Sequence, residues 1–240
     1  MERPCSIAYN EGAREFSMAE SRKGHVMRVV SLNVGVPRTI HDRGREVTTG
    51  IFKEPVEEPV MLRRLNLDGD RQADLEVHGG RNKALYAYPS EHYQFWRKEF
   101  PEMTLPWGMF GENLTTEGLK EEDSCIGDQY RIGQAVVMVT QPRLPCYKLG
   151  IRFGRDDIVK RFLASGRSGI YFSVAEEGLV NAGDPIARIQ RDESRVSVAD
   201  INRAYVSGDD IPLLRRIVQL EMLPPGMRNY FVEQLSSFQD

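Results

Sequence analysis

Cys146 is the side chain in this sequence best placed by its neighbours to do chemistry. It follows Val139-Thr140-Gln141-Pro142-Arg143-Leu144-Pro145 and precedes Tyr147-Lys148-Leu149-Gly150. A strand delivers the chain into a rigid loop, where two prolines fix the backbone around Arg143 and set Cys146 just beyond it. Arg143 and Lys148 flank the sulfur. Nearby positive charge favours thiolate over thiol, and thiolate is the form that binds metals or acts as a nucleophile. The competing reading is a buried, inert thiol with solvated basic neighbours.

Three further clusters carry reactive or ligand-approaching types. Asp70, Asp74, His78-Gly79-Gly80 and Lys83 precede Ala84-Leu85-Tyr86-Ala87-Tyr88. Paired glycines beside a histidine permit close backbone approach to a ligand, and Leu85 and Ala87 alternate against Tyr86 and Tyr88. His78 can orient a cofactor or serve as a hydrogen-bonded structural histidine. Gly108, Gly111-Glu112-Asn113-Leu114-Thr115 and Gly118 read as a polar turn rich in donors and acceptors, which is also ordinary turn material. Thr48-Thr49-Gly50-Ile51-Phe52-Lys53 places a cation near a phenylalanine, where it can meet a phosphate or simply face water.

The elements that must hold these residues fit one large β-rich domain with a small appendage. The chain has 240 residues, 40% hydrophobic and 28% charged, which is ordinary globular usage and enough to bury a core without disulfides. Lys and Arg total 32 against 35 Asp and Glu, so no global field draws the molecule to nucleic acid or lipid, and any anion site must be local. No apolar run approaches the roughly 20 residues that span a bilayer. The first residues lack the apolar stretch of a signal peptide, so the expected compartment is cytoplasmic. Cys5, Cys125 and Cys146 form no CxxC pair and argue against a disulfide framework or a structural zinc site.

Residues 1–25 are polar, lack periodicity and read as a flexible extension. The spacing then predicts a strand from Val26 to Asn33, with others at 47–53, 59–65, 83–88, 129–141, 168–174 and 185–191. Many short strands and few helices predict a mainly β fold, an antiparallel or mixed barrel over 26–192. Two internal helices stand out, one opening at Ser90 and carrying Tyr93, Trp96 and Arg97, the other opening at Asp156-Asp157 and ending near Gly166. From 193 to 240 the texture becomes helical, with a capping box at Ser197 and Asp200, Pro212 near a helix start, and a third helix from about Pro225. This is a small three-helix domain.

Taken together, Asn33-Val34-Gly35, Thr49-Gly50-Ile51 with Lys53, Gly69-Asp70 with Asp74, and His78-Gly79-Gly80 through Tyr88 resemble the MOSC domain family, named for the molybdenum-cofactor sulfurase C-terminal domain. Gly111-Glu112-Asn113-Leu114-Thr115 and Gln141-Pro142-Arg143 with Pro145-Cys146 continue the pattern. Val198-Ala199-Asp200-Ile201-Asn202 and Leu213-Leu214 are similar to the three-helix domain of its bacterial YiiM-like branch. The resemblance implies a β-barrel core and a bound molybdopterin-type molybdenum cofactor, with Cys146 the protein ligand to the metal. Candidate cofactor contacts are Arg143, Lys53, Lys83, Thr49, Gly79, Gly80 and Gln141, and candidate catalytic groups beside Cys146 are His78, Asn113 and Asp70. A soft thiolate suits a metal already held by sulfur, and local cations suit a phosphate.

The activity so implied is two-electron reduction of N-hydroxylated compounds such as hydroxylaminopurines, hydroxylamines and amidoximes to the amine or amidine, with release of water. The chain shows no flavin, haem or iron–sulfur signature, so electrons are expected from a separate reductase. A small-molecule substrate, no nucleic acid, no membrane and a homodimer complete the expected partners. Two other readings stand beside this one. A cofactor carrier or sulfur-transfer module would bind the group without reducing substrates, and a metal-free cysteine-nucleophile enzyme would use Cys146 with His78 and Asn113 or an aspartate.

Overall fold

A computed structural model describes residues 27–71 and 79–238. The extension expected over 1–25, Cys5, Asp74 and His78 lie outside the described residues.

The first strand, β1 (Arg28–Val34), ends where Gly35 and Pro37 break the β-branched run. β2 (Arg38–Asp42) and β3 (Arg45–Thr49) then form a hairpin across Arg43-Gly44, both at positive φ (51° and 76°), as a two-residue turn between right-twisted strands requires. Most of its side chains are exposed and polar, so the arm carries no hydrophobic alternation, and sequence reading places a strand only at 47–53. Two three-residue strands follow, β4 (Glu54–Val56) and β5 (Val60–Leu62).

All five residues of β6 (Leu85–Pro89) are buried. Leu85 and Ala87 face the main core, whereas Tyr86 and Tyr88 face a second, aromatic core. The alternation seen in the sequence therefore separates two apolar interiors and not core from water. α1 (Ser90–Glu99) crosses to β7 (Leu114–Glu117), which pairs with β6 in parallel, as a helical crossover allows. Trp96 and Tyr93 of α1 join Phe110, Phe153 and Phe162 in the aromatic core, with Trp96 and Phe162 stacked at 6.2 Å.

The single strand expected over 129–141 is a hairpin, β8 (Gln129–Ile132) and β9 (Ala135–Pro142), because Gly133 turns the chain at φ 55°. After β9 come α2 (Tyr147–Phe153) and α3 (Ile158–Ala164), then β10 (Ile170–Glu176), β11 (Gly178–Val180) and β12 (Ile186–Gln190).

The main sheet is mixed and eight-stranded, in the order β12-β8-β9-β10-β6-β7-β1-β4. A barrel would need a continuous ladder joining its ends, and the order is open. The ends do approach: Arg28 bridges Pro185, and the Val29 amide donates to the Asp184 carbonyl at 2.9 Å. The mainly β expectation is thus met by a large mixed sheet that is not closed, with the Gly183 amide also donating to the Val29 carbonyl and the Ile186 amide to the Met27 carbonyl, each at 2.8 Å, beside the Arg28–Pro185 bridge.

The tail folds as expected into α4 (Val198–Ser207), α5 (Ile211–Ile217) and α6 (Pro225–Ser236). Ser197 accepts from the Asp200 amide and Asp200 accepts from the Ser197 amide, completing the capping box, and Gly208 ends α4 in the left-handed region. Ile201, Leu214, Ile217 and Phe231 belong to the same buried cluster as Val137, Ile170 and Leu114 of the sheet. No helix among the described residues is long and apolar enough to cross a membrane.

Candidate active site

The turns at one end of the sheet converge on a cleft of about 580 Å³, its open mouth included. The β3–β4 connection contributes Thr49, Gly50, Ile51 and Lys53; the approach to β7 contributes Gly111 and Asn113; β6 and β10 contribute Tyr86 and Tyr171. Arg143, Cys146 and Lys148 enter from the segment joining β9 to α2, and Arg71 and Lys83 complete the wall. Among the described residues, five that line it are Lys or Arg and none is Asp or Glu. The charge balance of the whole chain is slightly negative, so this concentration of cations is a local arrangement.

Cys146 is half-buried, is not in a disulfide, and occupies the position just before α2 with extended backbone angles. Arg143 is buried. Its guanidinium lies 4.9 Å from the Tyr86 ring centroid and donates to the Phe110 carbonyl. Burial opposes its charge, but Tyr86, Tyr171 and Cys146 outweigh that and hold its pKa above the ordinary arginine value. The cation and the sulfur therefore interact across the cleft wall.

Behind the lining is a dry polar network. Lys53 donates to Asp70 at 2.5 Å, and both side chains are almost wholly buried. Desolvation lowers the Lys53 pKa, opposed by the attraction of Asp70. Asp70 also accepts from the Gly35 amide at 2.9 Å and the Asn113 side chain at 2.9 Å. Asn113 in turn accepts from the Tyr86 amide at 3.2 Å. Lys53 is thereby fixed between two tight backbone approaches, since a Cβ on Gly35 would meet the Phe52 carbonyl oxygen at 2.4 Å and one on Gly108 would meet that of Lys53 at 2.7 Å.

Glu112 anchors the neighbouring turn. Its fully buried carboxyl accepts from the Gly108 amide at 2.9 Å, the Phe110 amide at 3.1 Å, Thr115 at 2.9 Å and the Tyr93 hydroxyl. Burial pushes its pKa up against the pull of those donors. The same Phe110 carries the carbonyl that receives Arg143, so Glu112 positions the cation from behind.

Of the residues singled out in the sequence, Cys146, Arg143, Lys53, Lys83, Thr49 and Asn113 line one cleft. Asp70 sits behind it, bonded to two of them. Gly79, Gly80 and Gln141 line an adjoining groove against the three-helix tail, which meets the first cleft at Lys83. Cys125 is buried, and burial followed by Asp128 raises its thiol pKa. Among the described residues no three His, Cys, Asp or Glu converge as metal ligands.

Sequence reasoning did not single out Arg71, Tyr171 or Glu112 individually, and it assigned no helix to the residues after Cys146, where α2 begins. The Leu149 and Phe153 pair, four apart and both buried, followed by Gly154 in the left-handed region, was the available signal for that helix. Gly150 in its middle, which approaches the Arg155 carbonyl oxygen, masked the pattern.

Residues 74–187 match the family profile of the MOSC domain, and residues 196–238 match that of a YiiM-like, 3-alpha helix domain. The uncharacterized protein YflK of Bacillus subtilis is 44% identical over 207 residues, which cover 86% of this chain and 93% of YflK. A Gibberella moniliformis protein named Reductase is 34% identical over 183 residues, 75% of this chain and 32% of that longer protein. The crystal structure of YiiM from Geobacillus stearothermophilus aligns with a TM-score of 0.74 at 37% identity, covering 87% of this chain and 99% of that one.

Proposed function

This chain belongs to the MOSC-domain family, in the branch with a YiiM-like three-helix domain, and we propose that it is a molybdenum-cofactor-dependent reductase of N-hydroxylated compounds. One observation carries the reading: a half-buried thiol opens on a cleft whose charged lining residues, among those described, are all cationic.

The donor set fits such a group. A metal held by Cys146 would have to bring most of its remaining donors with it, because no second cluster of protein ligands converges there among the described residues. A prosthetic group with sulfur donors and a phosphate does so, and thiolate is a soft ligand matched to such a centre. Arg143 and Lys83 supply cations to an anionic group, and Thr49 and Gly111 line the same wall.

When bound, the molybdenum cofactor supplies the two-electron redox chemistry. The protein supplies orientation and electrostatics. Converting R–NHOH to R–NH2 and water consumes two electrons and two protons, and the protons must come from groups at the cleft or from solvent. Lys53 is the lining ammonium whose proton affinity burial has reduced, so it gives up a proton more readily than a solvated lysine. Asp70 and Asn113 hold it in place. The electrons come from a separate reductase, and the named fungal relative, which extends well beyond the region it shares with this chain, is consistent with a reductive role.

The test is metal analysis of wild type and Cys146→Ala purified from a cofactor-competent host, alongside N-reduction with a supplied electron donor. Wild type is expected to carry molybdenum and reduce an amidoxime, and the variant to lose both. Equal molybdenum in the two proteins rejects Cys146 as the ligand. Wild type without molybdenum rejects the cofactor reading.

A further inference from the structure

Arginines on the outside of this molecule commonly end on a carboxylate, as Arg28 does on Glu117 and Arg161 on Glu99. Arg38 of β2 and Arg152 of α2 do not: among the described residues neither forms an ion pair with an Asp or Glu. Their guanidinium carbons instead lie over one ring, 3.7 and 5.0 Å from the centroid of Phe52. Two like charges on a shared platform repel. The Arg152 pKa is lowered, first by burial and next by Arg38, and the attraction of Glu112 and Glu54 is weaker than either. An anion between the two groups removes that repulsion.

The platform is fixed and well placed. Phe52 packs against the aromatic core, and its backbone is pinned by the close approach of Gly35. Arg38 pairs in register with Thr49, and Arg152 stands one turn of α2 beyond Lys148; both Thr49 and Lys148 line the cysteine cleft. The two arginines stand outside that lining, so they border the cleft without belonging to it. Nε of Arg152 is sealed from water, which leaves its two terminal nitrogens to meet a ligand. Guanidinium groups present paired N–H donors in a plane and match two oxygens of a carboxylate or phosphate.

We propose that Arg38, Phe52 and Arg152 form an oxyanion-binding site at the rim of the cysteine cleft, which takes the carboxylate or phosphate of a small molecule and so selects acid-bearing ligands for the cleft. The selecting role rests on the reading of that cleft as the reducing centre; the binding does not. Because the anion binds the folded arrangement of the two cations, it stabilises the fold. The prosthetic group also carries a phosphate, so the experiment separates the two sources.

Calorimetric titration of the full chain with inorganic phosphate at constant ionic strength, on protein from cofactor-competent and cofactor-deficient hosts, tests the assignment. Saturable binding at one site is expected, with the same affinity in both preparations. Arg38→Gln, at an exposed side chain, and Arg152→Gln are each expected to weaken it about fivefold or more, because each removes charge-assisted donors. Arg45→Gln, at an exposed arginine of the same arm, should leave it unchanged. Phosphate should raise the melting temperature of wild type and not that of Arg38→Gln. In the loaded enzyme, an aryl amidoxime with a ring carboxylate is expected to show a lower KM than its uncharged parent, and Arg38→Gln to remove that difference with kcat unchanged. Absence of saturable binding, affinity untouched by both substitutions, or equal weakening by Arg45→Gln overturns the proposal. Binding confined to cofactor-deficient protein overturns it as well and gives the arginines to the prosthetic group's phosphate. Equal KM values for the two amidoximes, with phosphate binding intact, overturn the selecting role. Phosphate binding is read without molybdenum chemistry, so its failure is distinct from failure of the metal analysis.

Discussion

Lys53 and Asp70 face each other in the dry wall behind Cys146, and each is tolerable there only because of the other. Removing one partner leaves an uncompensated buried charge, which costs about 3–5 kcal/mol. Lys53→Met should therefore lower stability by about that amount in urea titration, and Lys53→Met with Asp70→Leu should recover part of it; a double variant no more stable than the single would refute the pairing. Glu112 makes a pH-dependent prediction. Its carboxyl pKa is raised by burial above 4.5, so the folded state keeps a proton that the unfolded state has released. Stability from this group is thus full below 4.5 and falls as pH rises through the folded value. Glu112→Gln turns an amide N–H toward backbone donors and should cost about 1–3 kcal/mol at low pH, with the gap to wild type narrowing as pH rises, as read by thermal melts from pH 4 to 7. Cys146, Arg143 and Lys53 were legible as chemistry-bearing types. The role of Asp70 as a bonded anchor was not, because the contact depends on where two turns 17 residues apart come to rest. Glu112 was hidden for the same reason: a carboxylate amid glycines reads as a solvated turn until four donors are seen to close around it.

At the scale of elements, patterns with one buried face and one wet face were readable, and those without were not. α4 declared itself through its capping box and its buried Val198, Ile201 and Ala204. Removing the cap tests that reading: Ser197→Ala should cost about 1 kcal/mol, measured as a shift in chemical denaturation midpoint, because the Asp200 amide loses its acceptor. A change within error would mean that tertiary packing alone fixes the start of the helix. The β2–β3 arm gave no such signal, since most of its side chains meet water on both faces, and only Arg43-Gly44 marks the turn. β6 misled in the opposite direction. Its alternation is real but divides two cores, so period-two patterning cannot distinguish a sheet face in water from one in a second apolar layer. That second layer bears on the site, because Tyr86 on the aromatic side of β6 is the ring over which Arg143 is held.

For the whole molecule, the sequence shows a β-rich part and a helical tail, and the change of texture near residue 193 suggests two domains. The packing joins them. Phe231 of α6 is fully buried in the cluster that also holds sheet residues Val137 and Ile170, and Tyr205 and Tyr230 border a groove whose other wall is Gln141 of β9. A tail with its own separate core would unfold on its own; a shared core ties both parts to one transition. Phe231→Ala opens a cavity in that common interior and should cost about 3–5 kcal/mol. Trp96 and Trp107 both lie in the sheet-bearing part, so their fluorescence reports unfolding at a distance from the substitution. The expected result is that Phe231→Ala lowers the tryptophan midpoint and the far-UV dichroism midpoint together. If the dichroism splits into two steps while the tryptophan signal keeps its wild-type midpoint, the tail is an independent unit, and the groove between it and the sheet is only as rigid as a domain contact permits.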